Sequence, residues 1–122
     1  MLKDNHIDYC GGIELAIDKA SKYVQDNGLP LKIEVETRTL EDVKTVVAMG
    51  KGKVFRIMLD NFSPKQITEA LPIINGQFET EASGGINLQN IIEYAETGVD
   101  YISVGALIHQ ARSLDLSLKA EI

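Results

Sequence analysis

The chain has 122 residues, one domain's worth, which is enough for a hydrophobic core and too few for two. Hydrophobic residues make up 44% and charged residues 25%, which excludes an intrinsically disordered chain. The formal net charge is -6, and the basic residues are dispersed, with no patch joining them to several aromatics, so general nucleic-acid binding is excluded as a leading function.

In chain order, "LKDNH" followed by the glycine pair Gly11-Gly12 reads as a loop. From Gly12 to Asn27 the apolar positions Ile13, Ala16, Ile17, Ala20 and Val24 have helical spacing, and Asn27-Gly28 before Pro30 supplies the stop. Leu31 to Glu36 reads as the opening strand, with Ile33 and Val35 on one face and Glu34 and Glu36 on the other. Thr39 and Asp42 form a helix start, and Leu40, Val43, Val46 and Val47 form its apolar stripe. Val54 to Leu59 is a second, more apolar strand. Ser63, Pro64 and Gln66 then open a helix carrying Ile67, Ala70, Leu71 and Ile74, with a bend expected at Pro72. Phe78 to Ala82 is the third strand. Asn87 is the expected cap of a fourth helix bearing Leu88, Ile91, Ile92 and Ala95, closed by Gly98. Tyr101 to Val104 is the fourth strand, followed by a short helical piece and an extended tail, "LDLSLKAEI".

Cys10 is the only cysteine, so no intrachain disulfide forms, and the usage fits a reducing compartment. No apolar run approaches membrane length and the amino terminus lacks a signal-peptide core, which together predict a cytoplasmic protein with no membrane partner.

Repeated strand-helix units predict an α/β fold, with parallel strands joined by right-handed crossovers. Four such strands are too few to close a (β/α) barrel, which uses eight. The alternatives are a small open sheet or part of a larger barrel-like domain. In either arrangement functional groups gather beyond the carboxyl ends of the strands. Those ends read "EVET", "IMLDN", "TEASGG" and "ISVGA". Two carry carboxylates, Glu36 and Asp60. Two carry small residues and glycines, whose amides can approach an anion. The combination suits a phosphorylated sugar, with carboxylates for hydroxyls or a divalent cation and amides for the phosphate.

Each piece has a plainer reading. Asp60-Asn61 alone describes a strand-to-helix turn, and Ser83-Gly84-Gly85 a tight turn before a helix. Gly105-Ala106 equally describes close helix packing. Glu81 is accounted for by an ion pair with Arg or Lys inside a barrel. Lys3 is a candidate anion contact, and His6 a candidate hydrogen-bond donor or proton carrier. His109 lies beyond the fourth strand end. Two histidines without a nearby thiolate do not make a transition-metal site, whereas Asp4 and Asp60 suit magnesium.

Taken in order, "LKDNH", "KIEVETRTLEDV", "RIMLDNFSP", "EASGGINLQNI", "YAETGVDYISVGAL" and "LDLSLK" strongly resemble the C-terminal part of the quinolinate phosphoribosyltransferases, also called carboxylating nicotinate-nucleotide pyrophosphorylases. The resemblance runs from Leu2 nearly to the end. It implies a magnesium-dependent, homodimeric enzyme of NAD biosynthesis, which converts quinolinate and phosphoribosyl pyrophosphate to nicotinate mononucleotide, pyrophosphate and carbon dioxide. Residues 1–122 are then the C-terminal portion of a barrel-like domain, roughly half a barrel, with the family's N-terminal domain and early barrel absent. Met1 is open to reading as an initiator or as an internal residue.

By motif, the resemblance implies that Lys3 contacts the anionic substrate and that Glu36 and Asp60 face the phosphoribosyl group and its magnesium. Ser83, Gly84 and Gly85, with Val104, Gly105 and Ala106, would hold the 5'-phosphate, and Glu34 would support Glu36 from the barrel interior. The arginines and histidine that grip quinolinate in the family lie in its early barrel, and Arg38, Arg56 and Arg112 match none of them. The isolated chain is therefore expected to be inactive. The alternatives are a non-catalytic phosphate-binding or assembly module, and a fragment of a related nicotinate phosphoribosyltransferase.

Overall fold

The computed structural model describes residues 1–105, and the helical piece and tail expected after Val104 lie outside them, as do Ala106, His109 and Arg112. Among the described residues five helices and four strands follow one another: α1 (Asp4–Cys10), α2 (Ile13–Asp26), β1 (Ile33–Thr37), α3 (Leu40–Met49), β2 (Val54–Asp60), α4 (Pro64–Ile74), β3 (Glu79–Ser83), α5 (Ile91–Ala95) and β4 (Tyr101–Ile102). All strand pairings are parallel, and the sheet order is the chain order, β1-β2-β3-β4. A sheet wound on both sides reverses its order part-way. Here the order never reverses, and α2 touches α3 as α3 touches α4, so these three helices form one layer on one side. This is the expected barrel-like α/β winding.

The helix starts follow local chemistry. Thr39 Oγ1 accepts from Asp42 N at 3.1 Å, while Asp42 Oδ2 accepts from Thr39 N at 3.0 Å. Ser63 and Gln66 make the same exchange at the start of α4, with Pro64 in its first turn. That helix runs past Pro72 to Ile74 and ends on Asn75, a non-glycine residue at φ 49°.

Register determines which side chains share a face. Val35, Ile57, Leu59 and Ala82 are fully buried beneath Ile17, Val43, Val46, Ile67 and Ala70 of the helices. Thr37 lies among them and satisfies its hydroxyl by donating to Met58 O at 2.8 Å. The opposite face pairs Glu34 with Arg56, Glu36 with Met58, Met58 with Glu81, and Asp60 with Ser83. It is a polar interior face, as the alternation in "KIEVET" indicates.

Three expectations are corrected. "DNH" is the first turn of α1, not a loop. Leu2 makes a parallel bridge to Val35, and His6 Nδ1 accepts from Lys3 N at 3.1 Å, so the sheet edge and a local cap start the helix together. The helix expected from Asn87 begins at Ile91 instead. Asn87 Oδ1 accepts from Gln89 N at 2.9 Å, and Asn90 Oδ1 accepts from Asn87 N at 2.8 Å. These side-chain bonds offer the backbone a turn in place of a helix, and Leu88 and Ile92 are left exposed. The fourth strand spans only Tyr101–Ile102, although Ser103 N still donates to Ala82 O at 2.9 Å.

Candidate functional site

The carboxyl ends of the strands converge. Leu2 N donates to Glu34 O at 2.7 Å and Leu2 O accepts from Glu36 N at 2.9 Å, so Leu2 acts as a one-residue strand beside β1. Lys3 therefore stands at a strand end too, next to Glu36. On the far side of Glu36 lies Asp60. The Glu36 carboxyl is held above its ordinary range, first by partial burial and then by the Asp60 charge, with Arg38 and Lys3 pulling the other way. Lys3, Glu36 and Asp60 are thus electrostatic neighbours.

Asp60 is oriented by two donors: Ser83 Oγ bonds Oδ1 and Asn61 Nδ2 bonds Oδ2, each at 2.8 Å. Asn61 adopts φ 57°, and its N–H donates to Ser83 O at 2.8 Å. Gly84 sits at φ 86° against that residue. A Cβ there would run into the Asn61 carboxamide and come within 2.9 Å of its backbone nitrogen. Gly85, also at positive φ, faces open space. Asp60, Asn61, Ser83 and Gly84 form one locked unit across two strand ends, and Asn61 is the member that sequence reasoning treated as a turn residue. The signal was its place directly after Asp60, facing a glycine-rich end.

Val104 and Gly105 follow β4 at the same end, and apart from its chain neighbours no described residue lies within 4 Å of where a Gly105 Cβ would be. His6 Nδ1 is engaged as an acceptor in starting α1. Among the described residues no group of three or more His, Cys, Asp and Glu side chains could hold a metal ion by itself.

Glu34 lies one strand-face step below Glu36, in an ion-pair layer. Arg56 bonds Glu79 at 2.7 Å and Glu81 at 2.8 Å, and stacks 4.1 Å from the Tyr101 ring centroid. Glu81 thus has the interior arginine partner weighed for it. Burial alone would raise the Glu81 carboxyl, but hydrogen bonds from Ser103, Arg56 and Glu34 outweigh it and hold it low. Burial and the Glu81 charge push Glu34 up, and its Oε1 is buried without a hydrogen-bond partner. The two carboxyls act on one another and are shifted apart, Glu34 upward and Glu81 downward. Arg38 is the other interaction missed in the sequence: it pairs with Asp4 and lies 3.7 Å from Glu36.

The sequence profile described as "Quinolinate phosphoribosyl transferase, C-terminal domain" matches residues 1–119. The chain is 41% identical over 133 residues to a protein of Nicotiana tabacum named quinolinate phosphoribosyltransferase [decarboxylating] 2b, mitochondrial, covering 99% of this chain and 38% of that one. It is 41% identical over 118 residues to the probable nicotinate-nucleotide pyrophosphorylase [carboxylating] of Bacillus subtilis, covering 97% and 39%. The crystal structure of NadC from Streptococcus pyogenes superposes with a TM-score of 0.78 at 39% identity, over 98% of this chain and 40% of that chain. The chain spans about two fifths of the length of these relatives. It belongs to the quinolinate phosphoribosyltransferase family and matches part of the C-terminal domain of its members.

Proposed function

We propose that the chain supplies the phosphoribosyl half of an active site that joins quinolinate to phosphoribosyl pyrophosphate. The observation that carries this reading is the convergence of Lys3, Glu36, Asp60 and Ser83 on one end of a parallel sheet, with Ser83 hydrogen-bonded to Asp60. Lys3 offers its ammonium to the anionic substrate. The amides of Ser83, Gly84 and Gly85, with Val104, Gly105 and Ala106, take the 5'-phosphate. As pyrophosphate leaves, positive charge grows on the ribose carbon, and the carboxylates of Glu36 and Asp60, already held in place, favour that charge. The products are nicotinate mononucleotide, pyrophosphate and carbon dioxide.

The two carboxylates also fit magnesium. They are hard oxygen donors on adjacent strands, and the repulsion between them that raises Glu36 is relieved by a divalent cation. Magnesium bound there supplies charge neutralisation for the departing pyrophosphate. A homodimeric, cytoplasmic complete enzyme goes with this reading. Among the described residues no helix is long and apolar enough to cross a membrane.

Calorimetric titration of the 122-residue chain with phosphoribosyl pyrophosphate tests the site. Binding that strengthens with magnesium is expected, without turnover when quinolinate is added. No binding overturns the site, and turnover by this chain alone overturns its role as half of one. Release of nicotinate mononucleotide on mixing with the amino-terminal part of a homologous enzyme separates an enzyme fragment from a phosphate-binding module.

A further inference from the structure

The segment that carries Lys3 is strapped to β1 on both sides of that residue. On the amino side are the two backbone bonds of Leu2, to Glu34 and Glu36. On the carboxyl side Asp4 is ion-paired with Arg38 through Nη2, the same nitrogen that lies 3.7 Å from Glu36 Oε1. Arg38 is itself anchored, because its backbone N–H donates at 3.0 Å to Asp42 Oδ2, the carboxylate that also caps α3. The Arg38 side chain is 43% exposed, while those of Asp4 and Glu36 are only 18% and 11% exposed. The guanidinium therefore sits at the rim over two sheltered carboxylates, unlike a freely solvated surface pair. With Ile7 and Ile13, the same groups line a cavity of about 230 Å3 beside the strand end. A lysine stem is flexible, so the reach of the Lys3 ammonium depends on how firmly its backbone is held.

We infer that Arg38 is a positioning residue: by clasping Asp4 to the end of β1, it fixes the Lys3 segment beside Glu36 and so sets how tightly an anionic substrate is held. This rests on the reading that Lys3 meets that substrate. Arg38 acts through Lys3 and does not touch the substrate itself.

The test uses the 122-residue chain, with phosphoribosyl pyrophosphate and magnesium as the calorimetric probe and amide hydrogen exchange as a ligand-free readout. Arg38→Met should weaken binding roughly tenfold, the scale of one charge-assisted contact. Arg38→Lys should restore part of the loss, since an ammonium still meets Asp4. The double variant Lys3→Ala/Arg38→Met should bind no more weakly than Lys3→Ala alone, because both changes remove the same contact. In Arg38→Met the Glu36 amide, which bonds Leu2 O, should lose protection while the Ile57 and Leu59 amides keep theirs. Should Arg38→Met fail to fold, Arg38→Gln carries the same expectations. Additive losses in the double variant, or unchanged exchange at Glu36, overturn the inference. If the unsubstituted chain does not bind the probe, the reading of the site fails, and exchange at Glu36 still decides whether the clasp exists.

Discussion

Ser83 Oγ donates a 2.8 Å hydrogen bond to Asp60 Oδ1, tying together through side chains two strand ends whose backbones are already in register. The bond has a function in the proposed chemistry, because a carboxylate that must face a developing positive charge gains most when it is held in advance. Asp60→Ala, assayed in chains complemented with the amino-terminal part of a homologous enzyme, should lower catalytic efficiency by about 2–4 kcal/mol, the range for one preorganised electrostatic contact. Ser83→Ala should cost only about 1 kcal/mol, since Asn61 still orients the carboxylate. Additive losses in the double variant Asp60→Ala/Ser83→Ala would show that Ser83 acts on the substrate and not through Asp60.

A second expectation concerns pH. Glu34 is raised, so the fold binds its proton more tightly than the unfolded chain does. That contribution is present below the ordinary carboxylate range and is lost as pH rises through the raised value. Glu81 is lowered, so its contribution is present above the ordinary range and is lost as pH falls through the lowered value. Glu34→Gln keeps a donor toward Glu81 and removes the titration. It should stabilise the chain near neutral pH, because folding no longer has to hold a carboxyl whose protonated form it favours. It should also flatten the loss of stability as pH rises above the ordinary carboxylate range. Thermal unfolding followed across the acid and neutral range measures both effects, and an unchanged pH profile would show that the Glu34 carboxyl is not raised in the fold.

The glycine pair gives a third contrast. Gly84→Ala meets the Asn61 carboxamide at positive φ, whereas Gly85→Ala meets strain alone. Gly84→Ala should therefore destabilise by about 2–3 kcal/mol and Gly85→Ala by about 1 kcal/mol. Urea unfolding ranks them, and the reverse order would mean that Asn61 yields more easily than the lock implies.

What was legible in the sequence was local or periodic. The Thr39–Asp42 and Ser63–Gln66 exchanges span three residues and are written in residue type alone. The separation of Glu34 and Glu36 from Ile33 and Val35 follows from alternation, and the gathering of Glu36, Asp60 and Ser83 follows from parallel winding. What was hidden depended on distant partners. Nothing in "DNHIDYC" repeats at helical spacing strongly enough to announce α1, which is held by Leu2 against β1 and by Arg38 against Asp4, 34 residues apart. The turn at Asn87–Asn90 was misread for the opposite reason: an asparagine that can cap a helix can also close a turn, and Asn90 Nδ2 reaching Gly85 O at 3.1 Å tips the choice.

The sequential order of the strands has a consequence for how the molecule is made. Side-chain links between neighbouring strand units include Thr80–Asp100, Thr37–Met58 and Asp60–Ser83, which join residues 20, 21 and 23 apart. Each strand from β2 on docks on the one synthesised just before it, so the loops closed between successive strands are short and their entropic cost small. Native pairing can keep pace with a chain emerging from the ribosome, each finished unit serving as the template for the next. The Lys3 side is complete once Arg38 has emerged, and the Asp60 side once Ser83 and Gly84 have. The two sides of the proposed site are therefore built in succession, from the amino-terminal rim toward the glycine-rich one.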